Sequence, residues 1–177
     1  MDLVTLVDRD DNVVGAEEKM RAHRDGTLHR AFSVFVFDDQ RNLLLQRRAA
    51  GKYHSAGLWS NTCCGHPRPG ESTANAAARR LPEEMGFSCE LHHAFQVVYR
   101  ADLENSLVEH ELDRVYVGRF NGVPQPDPRE VDGTRWINVH ELRSAISEAP
   151  DRYTTWLRLL LVDEGWAAVE AILARAS

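Results

Sequence analysis

Residues 61–71, NTCCGHPRPGE, set two adjacent cysteines beside a histidine and close on a glycine–proline turn with a glutamate. A thiol, with an ordinary pKa of about 8.5, can hold or deliver a proton near neutral pH, and an imidazole can move a proton or ligate a metal. Simple packing is the other use for both. A second group lies in VEHELDRVY, residues 108–116. Side chains alternate across a strand, so Glu109, Glu111 and Asp113 share one face, while His110, Leu112 and Arg114 take the other. Like charges on one face either stand in solvent, the commoner case, or gather around a divalent cation. His23, His29 and His66 could complete such a site. Imidazole with carboxylate suits manganese, iron or zinc, whereas carboxylate and water alone suit magnesium. His54, His92, His93 and His140 read as packing or surface residues. A third group is basic: Arg47, Arg48 and Lys52, with Arg79 and Arg80, in a chain of net charge −6. Surface charge explains it at the simplest level. A basic cluster in an acidic chain also suits an anionic small substrate, because arginine forks match phosphate oxygens and lysine adds a mobile charge.

The elements that must position these groups are those of an ordinary globular chain. With 177 residues, 43% hydrophobic and 27% charged, the sequence reads as one domain, 1–177, able to bury a core without staples. The acidic balance argues against a nucleic-acid partner. Neither a signal segment nor an apolar run of membrane length is present, and the three cysteines form no CxxC pair, so a reducing cytoplasm is expected. LVTLVD reads as a first strand, and RAFSVFVFD with NLLLQRR as an antiparallel hairpin. Residues 49–71 form a long loop punctuated by glycine and proline. STANAAARRLPEEMG is helical, capped by Ser72 or Thr73 and stopped by Gly86, with Pro82 expected to kink it or end its regular bonding. LHHAFQVVYRAD, LVEHELDRVYVGRF and TRWINV read as strands, with PQPDPREVDG a loop before the last. Asn138 and Glu141 form a capping-box pattern, and the chain from Tyr153 reads as helix with Gly165 a break. This order predicts an α+β arrangement, a mixed sheet covered by helices.

From Gly65 the sequence resembles the Nudix box, G-x5-E-x7-R-E-U-x-E-E-x-G-U, through Gly65, Glu71, Arg79, Arg80, Leu81, Pro82, Glu83, Glu84, Met85, Gly86 and Phe87. Arg80 stands where the box has a glutamate that helps hold hydrolytic metals. With NTCCGHP, AAGKYH, LHRAFSVFVF and EHELDRVYVG, that departure makes residues 3 to 160 similar to the type I isopentenyl-diphosphate isomerases, a non-hydrolytic branch of the Nudix fold. The resemblance implies an α/β/α sandwich and transposition of a double bond in a five-carbon diphosphate, by protonation and deprotonation on opposite faces. It implies a Mn2+ or other divalent site on His23, His29, His66, Glu109 and Glu111. It also implies a substrate-linked Mg2+ at Glu84.

By the same resemblance Cys64 is the catalytic thiol, with Glu111 the complementary acid–base group. Lys19, Arg48, Lys52 and Arg80 bind the diphosphate. Tyr99 and Trp156 face the carbon skeleton, where an aromatic face can stabilise cationic character, and Trp59 is a further aromatic candidate. The implied partner is a small allylic or homoallylic diphosphate, with no nucleic acid and no membrane, and the protein is a monomer or weak dimer. Two rival readings are a Nudix hydrolase of a nucleoside diphosphate derivative and a non-catalytic phosphate- or metal-binding module. Arg80 opposes the first, and an acid–base pair opposes the second.

Overall fold

The computed structural model describes residues 2–161 and 163–175. In chain order its strands and helices are β1 (Leu3–Val7), β2 (Val13–Glu18), α1 (Lys19–Asp25), β3 (His29–Phe37), β4 (Asn42–Arg48), β5 (Trp59–Ser60), β6 (Cys63–Gly65), α2 (Thr73–Met85), β7 (Leu91–Asp102), β8 (Val108–Arg119), β9 (Val131–Asn138), α3 (Val139–Glu148), α4 (Thr155–Leu160) and α5 (Asp163–Arg175). Among the described residues the strands join into one mixed sheet of nine, in which β3 and β8 run parallel and the other pairings are antiparallel.

The central strands are apolar on both faces because both faces are covered. On β3, Phe35 and Phe37 enter a core formed with α3, α4 and α5, while Phe32, Val34 and Val36 enter a second core against α2. On β4, Leu43 and Leu45 join the first core and Leu44 the second. The expected layering of a mixed sheet flanked by helices is therefore present.

The expected hairpin of RAFSVFVFD with NLLLQRR is only partly formed. β3 and β4 pair at Phe37 and Leu43, and then diverge, β3 beside β6 and β8 and β4 beside β9 and β5. Thr62 sits in the divergence: its hydroxyl donates to Leu44 O (2.7 Å) and accepts from Val36 N–H (2.9 Å). The "loop" 49–71 thus contains two short strands, and its polar residues replace ladder hydrogen bonds that the splayed strands lose.

Other differences are local. β2 and α1, outside the sequence expectation, are built from VVGAEE and KMRAHRD, and Glu18 caps α1 by accepting from Met20 and Arg21 N–H. Pro82 does not end α2, which runs on to Met85; in the last turn its missing N–H forfeits a single helical bond. Gly86 closes the helix at φ +74°, and a Cβ there would lie 2.2 Å from Gln125 O, so the stop needs glycine twice over. Gly165 is not a break but lies within α5, where a Cβ would meet the Phe95 ring at 2.6 Å. Asn138 caps α3 through His140 N–H (2.9 Å), and the final helical region begins at Thr155 rather than Tyr153. Among the described residues no helix is long and apolar enough to cross a membrane.

Candidate active site

One cavity of about 310 Å³ opens at the end of the sheet where β8 turns polar. Glu109, Glu111 and Asp113 share a face of β8 with Val115 and Val117, so the pocket continues the layer that those valines fill as core. All three acids are buried, which removes the solvated-face reading. His110 points the other way and donates from Nδ1 to Gly26 O (2.9 Å).

The sheet brings the histidines to the same place. Parallel pairing sets His29 opposite Glu111, α1 turns buried His23 inward, and His66 follows β6. His23, His29, His66 and Glu111 each offer a ligand atom, all within 4.8 Å of one another. Nδ1 of His23 donates to Lys19 O (2.8 Å), and Nδ1 of His29 to Thr27 O (2.7 Å). These bonds leave a lone pair on each Nε2, and both Nε2 atoms are buried without a hydrogen-bond partner. Burial, then the neighbouring His29, pulls His23 down, and burial pulls His66 down to about 3 against the opposing Glu111. Imidazoles beside a carboxylate form a donor set suited to a divalent cation. Glu109 lies beside this set, its carboxylate 3.3 Å from the Tyr99 hydroxyl and 3.8 Å from His54 Nε2.

The two buried glutamates behave oppositely. Burial would raise Glu111, but the imidazoles of His29 and His66 reverse this and hold it well below the usual carboxylate range. His66 Nε2 donates to its Oε1 (2.9 Å) and the Tyr99 hydroxyl to its Oε2 (2.6 Å). Burial and the adjacent Glu111 charge push Glu109 well up. Asp113, farther along, is pushed up to about 8 by burial and accepts from Ser33 Oγ (2.7 Å).

Strand alternation separates the two cysteines. Cys63 is fully buried in the core against α2, whereas Cys64 lines the cavity. Burial pushes the Cys64 thiol up to about 12, so it stays protonated. Asn61 braces the turn by donating to Cys63 O (2.8 Å), and its Oδ1, like Ser60 Oγ, receives the Trp156 indole N–H (3.1 and 3.0 Å). Trp156 is at once core and cavity wall, with the Arg48 guanidinium 5.1 Å from its ring centre.

The cations expected at the diphosphate end also reach the cavity. Lys19 lies over the Tyr53 ring at 5.0 Å, and Arg48 donates to His54 O (3.2 Å). Lys52 pairs with Glu130. Arg80 contacts Glu84 (2.6 Å), Glu83 (2.7 Å) and Glu130 (3.2 Å). The other oxygen of Glu84 accepts from Gln46 Nε2 (3.1 Å). Arg79, also at the cavity edge, holds Glu71 with two bonds of 2.9 Å, tying the turn to α2. Arg47 pairs with Asp132 outside the cavity, Trp59 stacks under Arg135, and Arg114 pairs with Asp11.

Sequence reasoning missed Tyr53 and His54. His54 was assigned to packing or surface like His92, His93 and His140, which are exposed. Instead it is buried in the cavity wall, edge-on to Trp156 at 5.6 Å, and burial followed by Arg48 lowers it to about 3. The signal available was its place two residues after Lys52 in a loop already rich in binding residues.

Comparison with known proteins adds a family. A NUDIX domain model matches residues 27–159. An isopentenyl-diphosphate Delta-isomerase from Serratia proteamaculans is 48% identical over 176 residues, covering 96% of this chain and 98% of the relative. Isopentenyl-diphosphate Delta-isomerase 1 of Aromatoleum aromaticum is 56% identical over 156 residues, 88% of each chain. Among solved structures, a Deinococcus radiodurans protein superposes with a TM-score of 0.76 at 20% identity, over 90% of this chain and 97% of that one. A MutT NUDIX hydrolase from Burkholderia pseudomallei gives 0.60 at 20% identity, over 81% and 97%. At that identity the two structures speak for the fold alone.

Proposed function

The chain belongs to the NUDIX-domain family and, within it, to the isopentenyl-diphosphate Delta-isomerases, and from that premise we propose that Cys64 and Glu111 are its acid–base pair. The enzyme interconverts isopentenyl diphosphate and dimethylallyl diphosphate, a step of isoprenoid precursor biosynthesis. The observation carrying the assignment is one cavity that holds a partly buried, protonated thiol and a charged carboxylate. Moving a double bond by one carbon requires a proton delivered at one position and one withdrawn at another, on opposite faces of the alkene. Cys64 Sγ holds the proton to be delivered, and Glu111, oriented by the Tyr99 hydroxyl, accepts the one removed. The reverse reaction starts from the opposite protonation of the same pair. Each positioned proton-transfer group is worth ~10²–10⁴-fold.

His23, His29, His66 and Glu111 are assigned to a divalent metal, Mn2+ or another divalent ion, with Glu109 as the additional carboxylate. When bound, the metal supplies fixed positive charge that neutralises the buried carboxylates. Glu84 is assigned to a Mg2+ carried in with the substrate, a role in which it exchanges its bond to Arg80. Lys19, Arg48, Lys52 and Arg80 hold the diphosphate, and this remote anchorage positions the small reacting tail. Trp156 walls the carbon skeleton and keeps it dry. Three free thiols suit a reducing cytoplasm, and we take the 1–177 unit to act as a single-domain monomer or weak dimer.

The test is product formation from isopentenyl diphosphate and Mg2+. Cys64→Ala and Glu111→Gln should each lose at least about 10²-fold in turnover, while Cys63→Ala keeps most of it. Folded Cys64→Ala protein with near-normal turnover would overturn the pair.

A further inference from the structure

Glu130 ends the loop between β8 and β9, and the chemistry assigned above makes no use of it. Its backbone is held on both sides: its N–H donates to Asp127 O (2.9 Å), and its carbonyl accepts from Ala49 N–H (3.0 Å). The loop is stitched in turn to the end of α2, Asp127 N–H to Glu84 O (3.0 Å) and Gln125 N–H to Met85 O (3.1 Å). The side chain turns into the cavity. One carboxylate oxygen receives Lys52 Nζ and the other receives Arg80 Nη2 at 3.2 Å. A half-buried anion of the protein therefore joins two cations, one from the 49–58 loop and one from α2.

We propose that Glu130 sets the affinity threshold of this pocket for phosphate anions, as a built-in counter-anion that an incoming ligand must displace from Lys52 and Arg80. The proposal rests on the assignment of Lys19, Arg48, Lys52 and Arg80 to the diphosphate. An inorganic monophosphate exchanges one anion for another at the same two cations and gains little. A diphosphate carries a second phosphoryl group that can also engage Arg48 and Lys19. Glu130 cannot retreat far, because its backbone is fixed, so its charge continues to oppose whatever anion replaces it. Every anion meets that repulsion, so the Glu130 charge lowers affinity for phosphate and diphosphate alike, and only a ligand with additional contacts binds tightly in spite of it. Arg80 keeps Glu83 as a partner when Glu84 is engaged elsewhere, and Lys52 is the more mobile of the two cations, so the exchange falls mainly on Lys52.

The experiment is calorimetric titration of the metal-loaded enzyme, in buffer containing Mg2+, with inorganic phosphate and with inorganic pyrophosphate. Glu130→Gln keeps the shape and the backbone bonds but removes the charge. It should tighten phosphate by about tenfold and pyrophosphate at least as much. The Michaelis constant for isopentenyl diphosphate should fall. Glu130→Asp keeps the charge and should retain both dissociation constants within ~3-fold of wild type, a reading that stands if the Gln variant does not fold. Unchanged or weakened binding of the two anions in Glu130→Gln, or an Asp variant that behaves like an uncharged one, overturns the proposal. Pyrophosphate binding that ignores both Lys52→Met and Arg80→Met would instead overturn the underlying diphosphate assignment.

Discussion

The indole of Trp156 is pinned by its N–H to Ser60 and Asn61, and Asn61 in turn holds the Cys63 carbonyl. The ring is thus a brace for the cysteine turn as well as a wall of the cavity. Replacing it by phenylalanine keeps an aromatic face but removes one donor from the buried Ser60 and Asn61 oxygens, which keep the Thr154 hydroxyl to Ser60 Oγ (3.4 Å) and the Ser60 hydroxyl to Asn61 Oδ1 (3.0 Å). A lost hydrogen bond of this kind costs about 0.5–1.5 kcal/mol. Trp156→Phe should therefore lower the melting temperature measurably and reduce turnover about tenfold. Trp156→Leu should lose far more turnover at similar stability, because leucine offers neither the plane nor the negative π face. Paired melting and turnover measurements decide the point, and equal turnover in the two variants would return the residue to packing alone. The Arg48 guanidinium already lies against this ring, so Arg48 and Trp156 position each other.

At the scale of elements, α2 is locked to the turn before it by Glu71 and Arg79. Arg79 bonds both carboxylate oxygens, and Arg68 N–H adds a third bond at 2.9 Å. The Arg79 hydrogen bonds hold Glu71 down to about 2 from an ordinary 4.5. The folded state then binds this proton less readily than the unfolded chain. The linked stabilisation is full above the unfolded value and is lost as pH falls through the folded one. Glu71→Gln should accordingly be less stable at pH 7, with the deficit shrinking between about pH 4.5 and 2. Comparing urea midpoints of the two proteins across that range checks it; a deficit independent of pH would show that the pair contributes only shape. The same lock keeps α2 in position to present Arg80 and Glu84 to the cavity.

Across the whole molecule, the proposed metal ligands come from α1, β3, β8 and the turn after β6, four elements separated widely along the chain. An ion that binds only when all four are assembled stabilises the folded state, by about 2.7 kcal/mol at a hundredfold excess over the dissociation constant. In a chain of this size that corresponds to roughly 5–10 °C of melting temperature. Chelation should remove that increment, and readdition of Mn2+ should restore it. His66→Ala should melt low and respond to neither treatment. A melting temperature indifferent to chelator, in protein shown by elemental analysis to be metal-free afterwards, would refute the four-element site.

The sequence by itself determined the strand with its alternating acids, the cap and stop of α2 and the central apolar strands. These follow from local periodicity and from residues whose conformational demands are nearest-neighbour effects. The resemblance added the family and a list of site residues. Only the tertiary structure decided that β3 and β4 splay apart around Thr62, because the hydrogen bonds that replace their ladder come from a segment distant along the chain. It also decided that α2 carries Pro82 in its last turn, where one missing bond is tolerable. The burial of Glu109, Glu111 and Asp113 depends on what covers that face of β8, which no spacing encodes. His54 and Glu130 became visible as site residues for the same reason. Each lies in a loop without periodicity, and its surroundings exist only once the 49–58 loop, α2 and the loop before β9 have packed against one another.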